Sequence, residues 1–125
     1  MDKPPILMIE DDAFLSRIYA QKLETEGFDV SLASSGEDGL KLAQRAVPAC
    51  ILLDILLPGI DGFEVLEKLR AEATLATVPV IVLSNLGQRE DVERAMRLGA
   101  NGYLIKAHAL PQDVARKVKE ILKIA

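Results

Sequence analysis

Four apolar runs in this 125-residue chain each stop on residues able to do chemistry. Ile6-Leu7-Met8-Ile9 ends in Glu10-Asp11-Asp12, and Cys50-Ile51-Leu52-Leu53 ends on Asp54. Val78-Pro79-Val80-Ile81-Val82-Leu83 ends on Ser84-Asn85, and Gly102-Tyr103-Leu104-Ile105 ends on Lys106. Packing alone does not explain a carboxylate at the end of a buried run, because desolvating it is costly unless it is paired or bound to a cation. Carboxylates gathered in one crevice repel each other and stay ionised near neutral pH only with positive charge beside them. A cation is therefore implied. An all-oxygen donor set with no His or Cys nearby favours a hard ion, and Mg²⁺ typically takes one or two carboxylates, keeps waters and bridges to a phosphate. Lys106 supplies a second positive charge. Flanked by the two, Asp54 is placed to attack phosphorus and become an aspartyl phosphate, with Ser84 able to hydrogen-bond a phosphoryl oxygen.

This chemistry requires the four run ends to meet. A short continuous apolar run bounded by turn residues reads as a strand buried on both faces, and Leu57-Pro58-Gly59 cannot continue the run before Asp54. Between the runs lie helical patterns. Phe14, Leu15, Ile18, Tyr19 and Leu23 recur at spacings of three and four, and Gly27 stands where a helix wants a left-handed closing residue. Phe28 to Ala33 alternates as a half-covered strand does, and Ser34 with Glu37 offers a capping box for a second helix carrying Leu40, Ala43 and Val47 and ending at Pro48. Asp61 caps a third helix marked by Phe63, Leu66 and Leu69; Val92, Ala95, Met96 and Leu98 mark a fourth, closed by Gly99. Pro111 suits the first turn of a last helix, with Val114, Val118, Ile121 and Leu122 facing inward and Arg116, Lys117, Lys119 and Lys123 facing out.

Five strands alternating strictly with five helices predict an α/β fold: a doubly wound parallel sheet with right-handed crossovers. The common order for five such strands is 2-1-3-4-5, flavodoxin-like, with the ligand crevice beyond the carboxyl ends of strands 1 and 3. Glu10, Asp11, Asp54, Ser84 and Lys106 all fall at that edge.

The totals are consistent with one domain. Half of the residues are hydrophobic, enough for a real core, and the net charge of −4 with a pI near 5 argues against a direct nucleic-acid surface. No apolar run approaches the roughly 18 to 20 residues of a membrane span, and Met1-Asp2-Lys3-Pro4-Pro5 lacks the flanks of a signal peptide. A cytoplasmic protein is expected. Cys50, the single cysteine, reads as core, and His108 as a solvated loop residue.

Glu10-Asp11, Asp54 followed by Pro58-Gly59, Ser84, and Gly99-Ala100-Asn101-Gly102-Tyr103-Leu104-Ile105-Lys106, in this order, resemble the receiver domain of bacterial two-component response regulators over essentially the whole chain. The resemblance implies a CheY-like domain whose Asp54 takes a phosphoryl group from a phosphohistidine on a sensor histidine kinase or histidine phosphotransfer protein. Carried over, Asp11 and Asp54 ligate Mg²⁺ directly, Glu10 acts through a metal-bound water, and the Leu56 carbonyl completes the protein's ligands. Ser84 would move toward the phosphate, Tyr103 would fill the space it leaves, and the face of helix 4, strand 5 and helix 5 would be remodelled to bind a downstream protein. That face also commonly dimerises in the family, so a homodimer is possible. The start of the first helix, with Phe14, Leu15 and Ile18, corresponds to the region that docks the kinase.

The pattern departs in two places. Receivers usually follow the lysine with proline through a cis bond; here the pair is Lys106-Ala107, and a cis bond before a non-proline costs about 2.5 to 4 kcal/mol, which favours trans. The positions two after Asp54 and two after Ser84 are Leu56 and Leu86, neither able to hydrogen-bond an attacking water, so a slow self-hydrolysis is expected. Asp12 is expected to support the helix start and the negative potential of the metal site. A haloacid-dehalogenase-type hydrolase would need an acid at Leu56. A flavin-binding module would not place Glu10-Asp11-Asp12 against a phosphate. A degenerate receiver, acting as a phosphorylation-independent binding module, would have lost Asp54, an acid or Lys106. The chain reads either as a stand-alone receiver or as a piece of a longer protein.

Overall fold

The computed structural model describes residues 3–124. Met1 and Asp2, which open the stretch weighed as a signal peptide, lie outside the described residues. The elements run β1 (Pro5–Ile9), α1 (Ala13–Thr25), β2 (Asp29–Ala33), α2 (Gly36–Arg45), β3 (Cys50–Leu53), α3 (Gly62–Ala71), β4 (Val80–Ser84), α4 (Arg89–Arg97), β5 (Gly102–Ile105), a 3-10 turn (Lys106–His108) and α5 (Pro111–Leu122). All strand pairs are parallel and the order is β2-β1-β3-β4-β5, the predicted doubly wound arrangement.

Two cores follow from the period of two in the buried strands. Leu7, Ile9, Ile51, Leu53, Val80 and Val82 point to the face covered by α2, α3 and α4, where Leu40, Leu66, Leu69 and Ala95 meet them. Ile6, Met8, Cys50, Leu52, Ile81 and Leu83 point to the opposite face, against Leu23 of α1 and Val114 and Val118 of α5. Cys50 is fully buried, as expected, and burial pushes its thiol up to about 12. No helix of the described residues is long and apolar enough to cross a membrane.

The helix ends refine the sequence reading. Asp61 caps α3 by accepting the Glu64 N–H at 3.0 Å, Pro111 opens α5, and Gly27 and Gly99 take positive φ after α1 and α4. The cap of α2 is Ser35, accepting from Asp38 N–H at 3.1 Å, and not Ser34. Glu37 is thereby released from the expected box and accepts from Ile60 N–H in the loop after β3. α2 ends at Arg45, before Pro48, and leaves Val47 exposed. β2 starts one residue after Phe28; at the sheet edge, it leaves Leu32 exposed. β4 begins at Val80, because Pro79 has no N–H for the ladder, and includes Ser84 as its last residue. Lys119 of α5 turns sideways to ion-pair with Glu26, the residue that closes α1.

Candidate functional site

The sheet fixes the two central acids through their own backbones. Hydrogen bonding continues one residue past β1 and β3, with Glu10 N–H donating to Ala33 O at 2.9 Å and Asp54 N–H to Ile9 O at 3.0 Å. Glu10 and Asp54 are both buried although charged, while Asp11 beside them is exposed. The three each offer a carboxylate oxygen, and these oxygens lie within 4.8 Å of one another. α3 starts hard against this point: a Cβ at Gly62 would sit 2.4 Å from the Asp54 carbonyl oxygen, so only glycine lets the loop after Asp54 return so closely.

Lys106 lies between two of the acids. Its ammonium donates to Asp54 Oδ2 at 2.7 Å and makes an ion pair with Glu10, all three side chains being less than a tenth exposed. The Lys106–Ala107 peptide is trans, as the sequence favours, and the short 3-10 turn it opens still delivers the ammonium to the site. Asp54 Oδ1 accepts the Leu56 N–H at 3.1 Å, and Glu10 Oε2 accepts the Asp12 N–H at 2.9 Å. Asp12 is the N-cap of α1, its carboxylate accepting from Phe14 and Leu15 N–H at 3.0 Å each, so the helix start and the Glu10 carboxylate are fixed by one residue.

The electrostatics follow from that packing. Burial, reinforced by the nearby Asp54 charge, holds the Glu10 carboxyl above the ordinary carboxylate range despite the opposing lysine and Asp12 N–H. For Lys106 burial works against the charge, yet its hydrogen bonds to Asp54 and Glu10 prevail and hold it above the usual lysine range, so it remains an ammonium. The oxygens fit a small hard cation: three carboxylates converge, no His or Cys stands with them among the described residues, and one lysine leaves them an excess of negative charge.

Ser84, fully buried, ends β4 next to Ile105 in the register, and its Oγ accepts Leu86 N–H at 3.3 Å. Tyr103 packs against the α2–α3–α4 core and its hydroxyl donates to the Leu86 carbonyl, so serine and tyrosine meet the same turn. Leu86 packs partly against that core, whereas Leu56 is 55% exposed. His108 is exposed.

These strand-end residues assemble the constellation of a receiver, and the comparisons agree. The family described as "Response regulator receiver domain" matches residues 6–118. The chain belongs to the response-regulator receiver family. This receiver domain is 38% identical over 96% of its length to the DNA-binding dual master transcriptional regulator RpaA of Synechocystis, and 41% identical over 82% to the transcriptional regulatory protein AfsQ1 of Streptomyces coelicolor. It spans 49% and 44% of those two proteins, about half the length of the curated relatives it matches. Among solved structures, the CheY-like receiver domain protein of Methanospirillum hungatei superposes with a TM-score of 0.90 at 29% identity, covering 98% of this chain and 95% of that one. The receiver domain of a Pseudomonas aeruginosa sensor histidine kinase, with a magnesium ion coordinated in its active-site cleft, gives 0.88 at 26% identity, covering 98% and 99%. The phosphorylated cyanobacterial phytochrome response regulator RcpA gives 0.83 at 28%, covering 96% and 91%. The receiver is thus a signalling domain with an acidic cluster at its site.

Two residues near the site escape a sequence reading. Asn85 accepts the Ala107 N–H at 3.0 Å, and the buried Tyr19 donates its hydroxyl to the Ala109 carbonyl at 3.4 Å. The signal available for Asn85 is a polar residue directly after a strand-ending serine, paired with a non-proline after the lysine; Tyr19 gives none, since its spacing is that of a core position.

Proposed function

We propose that residues 1–125 act as a single cytoplasmic phosphoacceptor domain in which Asp54 takes a phosphoryl group from a phosphohistidine of a sensor histidine kinase or histidine phosphotransfer protein. The observation that carries this reading is Asp54 itself: a buried carboxylate on a strand end, with an ammonium 2.7 Å from one oxygen and two further acids beside it. A carboxylate oxygen of Asp54 attacks phosphorus, the N–P bond to the donor imidazole breaks, and that nitrogen keeps the electron pair and takes up a proton. Lys106 offsets charge on the phosphoryl oxygens, and Ser84 Oγ–H donates to one of them. Asp11, Asp54 and the Leu56 carbonyl would hold Mg²⁺, with Glu10 acting through a water, and the ion would neutralise phosphoryl charge as phosphorus is transferred. The magnesium-bound Pseudomonas receiver and the phosphorylated phytochrome regulator support both parts of this reading. The domain catalyses only its own phosphorylation and dephosphorylation.

Switching follows from the shared turn. Ser84 gives up the Leu86 N–H to reach a phosphoryl oxygen, the turn that also accepts from Tyr103 is disturbed, and the α4–β5–α5 face changes shape toward a downstream protein or a second copy. The donor protein would meet an apolar rim around the crevice, since Phe14 is 73% exposed at the start of α1, Leu110 is 58% exposed before α5, and Leu56 projects from the loop after β3. Phe14 thus fits docking and not core packing.

Incubating the parent and Asp54→Ala with acetyl phosphate, with and without Mg²⁺, and reading intact mass tests the proposal. One phosphoryl group gained only by the parent and only with Mg²⁺ is expected. No gain in the parent, either from acetyl phosphate or from a phosphorylated histidine donor, would favour a phosphorylation-independent binding module.

A further inference from the structure

Within the turn that carries the Lys106 ammonium, Ala109 N–H donates to Lys106 O at 3.2 Å. Short 3-10 turns have poor hydrogen-bond geometry, and the lysine stem is flexible, so placement of the ammonium depends on how firmly the turn is held from outside. It is held at two points. Ala107 N–H donates to Asn85 Oδ1, and the Ala109 carbonyl accepts from Tyr19. The first bond exists because residue 107 is not proline, which would have no N–H to give. It also fixes the Asn85 amide, since a backbone donor must meet its oxygen and not its NH₂.

Asn85 follows Ser84 directly, and the loop it starts closes over the strand leading to the lysine. A Cβ at Gly87 would lie 2.8 Å from Ile105 Cδ1, so the loop passes close over that side chain. Segment 84–87 therefore lies along 105–107, with Ser84 and Ile105 paired at the sheet and Asn85 and Ala107 bonded just beyond it.

We propose that Asn85 is a positioning residue for the reaction at Asp54: its amide oxygen, through the Ala107 N–H, holds the Lys106–His108 turn so that the ammonium stays on Asp54. Its consequence for phosphorylation rests on the phosphoacceptor reading above; its geometry does not. Because Asn85 adjoins Ser84, displacement of the serine toward a phosphoryl group pulls on the lysine's turn, and the two groups that meet the phosphate move as a pair.

The test compares the parent, Asn85→Ala and Asn85→Asp, which keeps an acceptor at the same place. Four readouts are taken: hydrogen exchange at the Ala107 amide, the Lys106 Nζ resonance, Mg²⁺ affinity by titration, and the initial rate of Mg²⁺-dependent phosphorylation by acetyl phosphate. In Asn85→Ala the Ala107 amide should exchange about tenfold faster, the Nζ resonance should broaden or shift, and phosphorylation should slow about three- to tenfold. Mg²⁺ affinity should stay within about twofold, whereas general loosening of the acidic site would weaken it. Asn85→Asp should restore amide protection and most of the rate. Parent-like Ala107 exchange in Asn85→Ala overturns the proposal, as does lost protection with an unmoved Nζ resonance and rate. If Asn85→Ala does not fold, Asn85→Ser, which withdraws the amide oxygen from the Ala107 N–H, takes its place, and lost amide protection with an unmoved Nζ resonance there is equally fatal. A parent that accepts no phosphoryl group counts against the phosphoacceptor reading alone, and the Ala107 and Lys106 resonances then decide whether Asn85 holds the turn.

Discussion

Replacing Lys106 with methionine probes the electrostatics of the crevice before any phosphate is involved. The ammonium is the one cation paired with the buried Glu10 and Asp54 carboxylates among the described residues, and methionine keeps most of the stem's packing while removing the charge. Breaking a buried pair by removing one partner typically costs about 3 to 5 kcal/mol, because the remaining charge is stranded. Here the stranded carboxylates keep the Asp12 and Leu56 N–H donors, which places the loss near the lower end, about 3 kcal/mol. For a chain of 125 residues, about 1 kcal/mol moves the melting midpoint by ~4 °C, so the variant should melt ~12 °C below the parent in metal-free buffer.

The loss should also depend on pH in a defined sense. Glu10 is held above its ordinary range by burial, and without the lysine it rises further; a carboxyl with a raised folded-state pKa destabilises the fold as pH rises past its unfolded value. The deficit is therefore largest near neutrality and shrinks as pH falls toward ~4. Mg²⁺ should repair it, because a divalent ion at a hundredfold excess over its Kd contributes about 2.7 kcal/mol, or ~10 °C here. The variant, freed of a competing cation, should gain more from Mg²⁺ than the parent. Thermal melts by circular dichroism in EDTA and in Mg²⁺, at two pH values, read all of this. A variant within about 2 °C of the parent in EDTA, or one gaining no more from Mg²⁺, would refute the view of Lys106 as the resident counter-charge.

Two other outcomes follow from the site and the core. Leu56→Asn, at an exposed position two after Asp54, should shorten the lifetime of the phosphorylated protein by about tenfold or more by giving the attacking water a partner; the same change at Leu86 should act likewise but with a packing cost, and unchanged decay of the mass-shifted species in both would remove the two-leucine explanation of a slow hydrolysis. Cys50, its thiol pushed up to about 12, should resist iodoacetamide at pH 8 until the protein is unfolded. Its protonated form contributes stability that is full below the ordinary thiol value of about 9 and is lost as pH rises toward the folded value, at up to about 1.4 kcal/mol per pH unit, so Cys50→Val should show a flatter alkaline limb in denaturant titrations.

Much of the architecture is legible because each strand is a short apolar run with a polar stop, and the polar stops are the site. Central parallel strands buried on both faces leave Glu10 and Asp54 no other use than to meet at the carboxyl edge, and Lys106, ending the half-buried edge strand β5, joins them there. What periodicity misreads is position within an element. Phe14 satisfies the three-and-four spacing of α1 yet projects into solvent, because the buried stripe of that helix runs through Ser16, Tyr19, Ala20 and Leu23, on the far side of the cylinder from Phe14. Two adjacent serines precede α2 and either could cap it; the structure uses Ser35, and Glu37 turns instead to the loop at Ile60.

The placement of the lysine shows where such reading ends. That an ammonium directly after an apolar strand needs a partner follows from desolvation alone, and Asp54 is the available one. Whether a trans peptide lets it arrive is a question about the turn, and the answer is held by residues remote in sequence: Asn85, 22 positions before Ala107, and Tyr19, 90 positions before Ala109. Neither bond is legible in one segment alone, because the asparagine after a strand reads as a turn residue until it is set beside the non-proline after the lysine, and a tyrosine on a helix face reads as core. The site's charges are thus dictated by strand ends, while their aim is set by hydrogen bonds made only after the sheet has brought β4, β5 and α1 together.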